Sequence, residues 1–379
     1  MRREKREIMK QITGGATAAQ GFLAADTAAG IKYKDRTDMA MLFSEKPCRA
    51  AGTFTSNVVK AAPVLWDRKI VQESEAVQAV VINAGIANAC TGKEGLGYCH
   101  ETAKAAGEAL GIPEEAVLVA STGVIGMQLP IDRIQAGVRA MAPGLSGSME
   151  AGSRAAKAIM TTDTHEKEAA VQFEVDGKTV TVGGMCKGSG MIHPNMCTML
   201  AFVTTDLAIS KDLLQEALRA DVQDTFNMIS VDGDTSTNDT LLLLANGMAG
   251  NAEITEKNED YEKFCRALNF VNTELAKMMA GDGEGATALF EVKVIHAATK
   301  EQAKLLSKSV VCSSLTKAAV FGHDANWGRI LCAMGYSGAQ FDPEKVDLYL
   351  ESIAGRIQLI EDAVALPYSE EEATRILSE

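Results

Sequence analysis

Residues Lys187 to Asp206 read KGSGMIHPNMCTMLAFVTTD. Gly188, Gly190 and Pro194 exclude a helix and force a tightly shaped loop. The loop runs without a break into an apolar strand, Met199–Thr204, whose head is Thr198. Immediately upstream, Ala170–Val175 and Thr179–Val182 flank Asp176-Gly177, a dipeptide that suits a two-residue hairpin turn. The central stretch is therefore a hairpin, a glycine-rich loop and a third strand.

Working outward, helical periodicity is clearest at Glu101–Leu110, Ser146–Met160, Lys211–Ile229, Asp260–Ala280 and Lys300–Val311. Leu241–Leu244, Phe290–His296 and Val346–Leu350 read as further strands. Helices and strands alternate irregularly and include an antiparallel pair. The expected fold class is α/β in mixed α+β layers, with partly antiparallel sheets and helices packed on them, and not a doubly wound parallel sheet. No repeat, low-complexity segment or Pro/Ser-rich linker divides the 379 residues. Polar, glycine-containing patches punctuate the scaffold at Asn83–Asn88, Ser121–Gly126, Thr161–Thr164, Lys187–Met191, Ser230–Asp239, Gly281–Gly285 and Gly322–Arg329. Loops of this kind on a rigid scaffold are where function tends to sit, and so many of them make a convergent site the expectation.

Composition narrows the classes. Net charge is −13 with no basic block, so a polyanion meets no complementary field, and nucleic acid and anionic membrane surfaces are not expected partners. Aromatic residues are 5%, too sparse for a base-stacking platform, while 46% hydrophobic residues suffice to build a core. The charged opening Met1–Lys10 precedes Gly- and Ala-rich sequence instead of an apolar signal region. The uncharged Gly188–Thr205 is interrupted by glycines and Pro194, so no membrane span is expected. Eight cysteines lie scattered without CxxC pairs, the pattern of reduced thiols in a cytoplasmic, metal-free protein.

Several motifs fail on a single residue. Gly177-Lys178-Thr179 ends a phosphate-binding loop, but Gln172 stands where its first glycine belongs. Gly281-Asp-Gly-Glu-Gly-Ala286 follows a helical run where a dinucleotide fold needs a strand. His165-Glu166 is not completed by a second histidine at Ala169, and His193 with Cys197 lacks further ligands. Ser314-Leu-Thr-Lys317 matches SxxK but reads as a helix end followed by a strand.

Thr198 carries the chemistry that remains. A threonine at the head of a buried strand is what an N-terminal-nucleophile enzyme needs: its hydroxyl attacks the preceding carbonyl, here that of Cys197, and the chain breaks through an ester. The freed α-amine, with a reference pKa of about 7.7–8.0, can serve as general base for its own hydroxyl. By itself the pattern leaves open a plain strand threonine after a turn, and Cys197 with His193 as a rival nucleophile and base.

This segment closely resembles the signature of the ornithine acetyltransferases, or bifunctional glutamate N-acetyltransferases, of the cyclic arginine pathway. Gly14-Gly15, Gly30-Ile-Lys32, Thr53–Asn57 and Lys60–Val64 resemble the family's opening, and Asn83–Gly92, Ser121–Gly126, Thr161–Thr164, Ser230–Asp239, Gly281–Thr287 and Gly322–Ile330 follow in the family's order. The resemblance runs from about residue 11 to residue 376. It implies an N-terminal-nucleophile-type autoprocessing fold cut between Cys197 and Thr198 into chains 11–197 and 198–379, which stay associated as an α2β2 heterotetramer. Thr198 would be both processing residue and acetyl-accepting nucleophile, with Thr122 and Gly123 as the oxyanion hole. Thr161, Lys187 and Glu284 would hold the amino-acid substrate, an ammonium meeting its α-carboxylate and a carboxylate its amino group. Asp232, Asp234 and Asn326 are expected to structure loops through side-chain bonds to local backbone.

The implied activity is ping-pong transfer of acetyl from N-acetylornithine to glutamate, with no metal or organic cofactor because the ester carries the group; acetyl-CoA as a further donor is left open. This sequence departs from the family pattern in three places. Cys197 replaces the usual Ala before the nucleophile, and Ile86 replaces a polar Asn. Family members also continue beyond a segment like Tyr368–Ala373 for a few dozen residues, into a strand and tail that complete the pocket, whereas this chain ends at Glu379. The rival expectations are an autoprocessing amidase or aminopeptidase and an inactive truncated remnant with an unpaired edge strand.

Overall fold

The computed structural model describes residues 9–193 and 199–379. Asp176 and Gly177 both take positive φ, 49° and 68°, as a two-residue hairpin turn requires, and they join β6 (Lys167–Val175) to β7 (Lys178–Lys187). This hairpin belongs to a nine-stranded sheet with β1 (Lys10–Ile12), β2 (Phe22–Thr27), β3 (Met39–Phe54), β4 (Val77–Ile86), β5 (Val117–Val124), β8 (Leu200–Thr205) and β9 (Thr240–Ala245). Its order is β1-β6-β7-β8-β9-β3-β4-β5, with β2 also on β3; β4–β5 and β8–β9 are parallel and the other pairs antiparallel.

The long strand β3 divides the sheet. Met39–Phe43 pair with β4, Arg49–Phe54 pair with β9, and the register shifts between Phe43 and Cys48. Pro47 lies in that interval and has no N–H to give a ladder. The two halves then face each other. Ala40, Leu42, Val80, Ile82, Leu118 and Ala120 share one core with Met185, Leu200, Phe202, Leu242 and Leu244. The alternate residues Met39, Met41, Ala79, Val81, Val117 and Val119 pack the opposite way. They meet Cys99, Ala103 and Ala106 of α2 (Glu94–Leu110) and Ile134, Val138 and Met141 of α3 (Ile131–Met141), the period-2 alternation of strands buried on both faces. Of the remaining helices, α1 (Ala62–Glu73) packs beside β5, and α4 (Met149–Ala158) adds Ala151, Ala155 and Ala156 to the core between the half-sheets.

On the outer face of the second half-sheet lie α5 (Lys211–Val222) and α6 (Glu259–Gly281). The Gln215 side chain bonds both the N–H and the carbonyl of Gly52, each at 3.1 Å, fastening α5 to β3. Asn258 caps α6 by accepting from Tyr261 N, and Tyr261, Phe264, Leu268, Val271, Leu275 and Met279 form its buried stripe. The result is a helix–sheet–sheet–helix arrangement, the mixed α/β layering expected.

Two compact units divide the chain: Met1–Asn227 with Asp234–Glu284, and Met228–Gly233 with Gly285–Glu379. The second unit contains α7 (Lys300–Cys312), α8 (Ser314–Phe321), α9 (Trp327–Gly335), the small sheet β10 (Leu348–Ser352), β11 (Gly355–Glu361) and β12 (Val364–Ala365), and α10 (Glu370–Leu377). Leu348, Leu359, Ile360 and Ala373 form its core with Trp327 and Leu331 beside them. Two expectations are corrected here. Phe290–His296 alternates as a strand would but forms none among the described residues, because no neighbouring strand supplies a ladder. Ser314–Lys317 opens a helix, capped by Ser313 accepting from Thr316 N, and not a helix end before a strand.

Candidate active site

Lys187 ends β7, and its ammonium is the hub of the site. Its Nζ lies 2.7 Å from Thr161 Oγ1, 3.3 Å from Thr122 Oγ1 and 3.8 Å from Asp163 Oδ2. Three residues drawn from two separate patches of the sequence are thus brought onto one side chain. Strand β5 delivers Thr122, and the turn after α4 delivers Thr161. Thr122 accepts a bond from the ammonium, which leaves its own O–H free to donate and polarises it toward an incoming anion. Burial pushes the Lys187 ammonium below its ordinary range, against the opposing pull of Asp163.

Gly123 follows Thr122 with φ +128°, and a Cβ there would sit 2.2 Å from the carbonyl carbon of Gly85 in the paired strand. Only glycine lets the ends of β4 and β5 approach so closely. Asn238 then ties both ends: its Nδ2 donates to Ala87 O at 2.6 Å and to Ser121 O at 2.8 Å, one residue before Thr122.

A buried charge network supports the hub. Lys167 Nζ bonds Asp163 Oδ1 at 2.8 Å and Asp282 Oδ2 at 2.6 Å, with all three side chains essentially inaccessible. Asp163 also accepts from Thr161 N at 3.0 Å and Gly188 N at 2.6 Å. Burial alone would raise the Asp163 carboxyl, but Lys187 and Lys167 hold it below the usual carboxylate range. Burial alone would lower the Lys167 ammonium, and its bonds to Asp163 and Asp282 reverse that.

Glu284 sits beyond this network in an exposed loop, its N–H donating to Ser189 O at 2.9 Å. Gly190 makes room for it, since a Cβ there would fall 2.5 Å from Glu284 Cδ. Cys197 and Thr198 lie outside the described residues. The chain on either side is placed: His193 O accepts from Thr235 Oγ1 at 3.0 Å, and Leu200 pairs with Lys187 in the ladder.

Ile86 is buried at the end of β4, opposite Val124. Asn326, in the second unit, bonds the Asp324 carboxylate at 3.0 Å, a side-chain partner where a backbone one was expected. Sequence reasoning missed Asp163, Lys167, Asp282 and Asn238 as individuals, although three of them lie inside patches it singled out. Lys167 left no signal, because a lysine at the head of a strand reads as a solvated charge.

The fold and the site together define a layered α/β protein with a hydroxyl-lined cationic centre, built where strands of both half-sheets end. The chain belongs to the ArgJ family, whose family model matches residues 23–379. It is 53% identical over 373 residues to the arginine biosynthesis bifunctional protein ArgJ of Symbiobacterium thermophilum, covering 98% of this chain and 91% of that protein. ArgJ 1 of Clostridium acetobutylicum is 52% identical over 356 residues, covering 94% and 86%. Among solved structures, the ornithine acetyltransferase of Mycobacterium tuberculosis complexed with ornithine is 41% identical with a TM-score of 0.47, covering 51% of this chain and all of that one.

Proposed function

We propose that this protein cleaves itself between Cys197 and Thr198 and then moves acetyl groups from N-acetylornithine to glutamate as a glutamate N-acetyltransferase of arginine biosynthesis. The observation that carries the reading is the Lys187 ammonium bonded to both Thr161 and Thr122, in a ladder with the strand that begins two residues after Thr198. The names of the ArgJ relatives supply the pathway.

In this reading the Thr198 hydroxyl adds to the Cys197 carbonyl, the C–N bond breaks, and water hydrolyses the ester to leave a carboxylate on Cys197 and an amine on Thr198. That amine takes the hydroxyl proton as Oγ attacks the acetyl carbonyl. The oxyanion is met by the Thr122 hydroxyl, polarised by Lys187, and by the Gly123 N–H. The ammonium returns its proton to the departing nitrogen of ornithine. Glutamate's amine then attacks acetyl-Thr198, and the same steps in reverse regenerate the free threonine. Thr161, Lys187 and Glu284 hold the shared amino-acid part of both substrates.

The order of strands supports continued association of the two chains. In the sheet, β8 and β9 of the second chain lie between β7 and β3 of the first, so separation would break two ladders. Pairing of two such units into α2β2 is part of the proposal, as is a cytoplasmic setting, which the seven described free cysteines support. No helix among the described residues is long and apolar enough to cross a membrane.

Intact mass with sequencing of any new N-terminus tests the cleavage: two fragments, the second led by Thr198, are expected. Acetyl transfer to glutamate, set against free acetate release, separates the transferase from an amidase, and absence of both would identify a remnant. Acetyl-CoA in place of N-acetylornithine tests a second donor. Thr198→Ala is expected to be folded, uncut and inactive; a cut or active variant would overturn the mechanism.

A further inference from the structure

Lys167 heads β6 with a side chain that is fully buried, and the acetyl-transfer reading gives it no part. Its ammonium joins carboxylates from two different loops, Asp163 before β6 and Asp282 after α6. Each carboxylate in turn fixes the backbone of a loop that carries a candidate substrate-binding residue. Asp163 accepts from the N–H of Thr161 itself and from Gly188 N, next to Lys187. Asp282 accepts from Thr164 N at 3.0 Å and from the Thr164 hydroxyl, and it stands two residues before Glu284.

We propose that Lys167 is a positioning residue for amino-acid binding: through Asp163 and Asp282 it clamps the Thr161 loop and the Glu284 loop to each other around Lys187. The identity of the substrates rests on the acetyl-transfer reading; the clamp does not. The Glu284 loop contains Gly281, Gly283 and Gly285 and has little ladder bonding to hold it. Without a tether, its ordering entropy would be charged against substrate binding. The clamp removes that cost before the substrate arrives, and it does so from a fully buried side chain, without touching the substrate.

The network also sets the field at Lys187. The groups whose charge acts on that ammonium are Asp163 from the loop, Lys167 from β6, Glu284 from beyond α6 and Cys186 from its own strand. Removing the Lys167 charge takes away a like charge, so Lys187 should hold its proton to higher pH.

The test uses the full chain with Asp282→Asn, which keeps the Asp163–Lys167 pair, and Lys167→Met. Acetyl-exchange kinetics and amide hydrogen exchange are measured on both. For Asp282→Asn the expectation is a KM for both substrates raised about tenfold or more with kcat within about threefold. The Thr164 and Glu284 amides should exchange at least about tenfold faster while the Asp176–Gly177 hairpin is unchanged. In Lys167→Met the basic limb of the kcat/KM profile should move upward, and Asp282→Glu should restore part of the lost KM. Wild-type KM together with wild-type exchange at Thr164 and Glu284 in Asp282→Asn would overturn the proposal. So would uniformly faster exchange with kcat and KM failing together, the signature of general destabilisation. If the parent transfers no acetyl group, the functional reading fails, and exchange at the two amides still decides the clamp.

Discussion

Each of the two compact units draws a pair of lysines out of full exposure, Lys167 and Lys187 buried in the first and Lys308 and Lys317 half-buried in the second, and they treat them differently. In the first, Lys167 and Lys187 share Asp163, and Lys167 also holds Asp282. In the second, Lys308 of α7 donates to Ile229 O and Lys317 of α8 to Ser230 O, each at 2.7 Å. Carboxylates return more than burial takes from this cation, and Lys167 ends above its ordinary range. Carbonyl dipoles return less: burial pushes Lys308 down to about 8, with Lys317 adding to the fall and Cys312 opposing it. Lys187 stands between these cases, paired but lowered. The difference teaches that one residue type serves as a fixed strut in one place and as a titratable group in another, according to what faces it.

The sharpest way to break that comparison is Lys167→Met. It leaves the Asp163 and Asp282 carboxylates buried without their shared cation, and it should cost about 3–5 kcal/mol in urea unfolding. A loss under about 1 kcal/mol would mean that the carboxylates find other partners and that the strut is not one. Next comes Lys187→Met, which keeps the fold but removes the group polarising Thr122. A fall of about 10²–10³ in kcat/KM for acetyl transfer is expected, comparable to losing an oxyanion donor. Smaller again is Asn238→Ala, which frees the Ala87 and Ser121 carbonyls. It should lower stability by about 1–2 kcal/mol and kcat by about tenfold, with KM little changed, as steady-state kinetics would show.

These effects also mark where the sequence was legible. The Asp176-Gly177 hairpin and the long amphipathic α6 were readable because turn chemistry and helical period are local properties. The strand β3 was not: Ser44–Pro47 interrupt its apolar pattern, and its two halves are made strands by partners far away. Phe290–His296 is the converse, a strand pattern that forms no ladder because pairing is not a local property. At the site, Thr122, Gly123, Thr161, Lys187 and Glu284 could be named only through resemblance, and the structure gathers Thr122 and Thr161 onto Lys187. The Lys167–Asp282 bond spans 115 residues and was invisible, since nothing in either neighbourhood says that the charge will be buried.

The smallest effect separates the two lysine pairs by pH. A lysine whose folded pKa is depressed binds fewer protons in the native state than when unfolded, between about 8 and the ordinary value near 10.4. Within that window stability rises with pH. Lys308→Met removes the dependence, so the wild type should gain on the variant, by on the order of 1 kcal/mol, as unfolding is followed from pH 7.5 to 10. Lys167 has the opposite sign. Its folded pKa is raised, so its contribution is complete below the unfolded value and is lost only as pH rises through the folded one. The deficit of Lys167→Met should therefore change across the same range only by the small amount through which Lys187 loses the like charge of Lys167, well short of the Lys308→Met slope. Parallel slopes for the two variants would show that carboxylates and carbonyls hold these ammoniums alike, and the contrast between the units would fail.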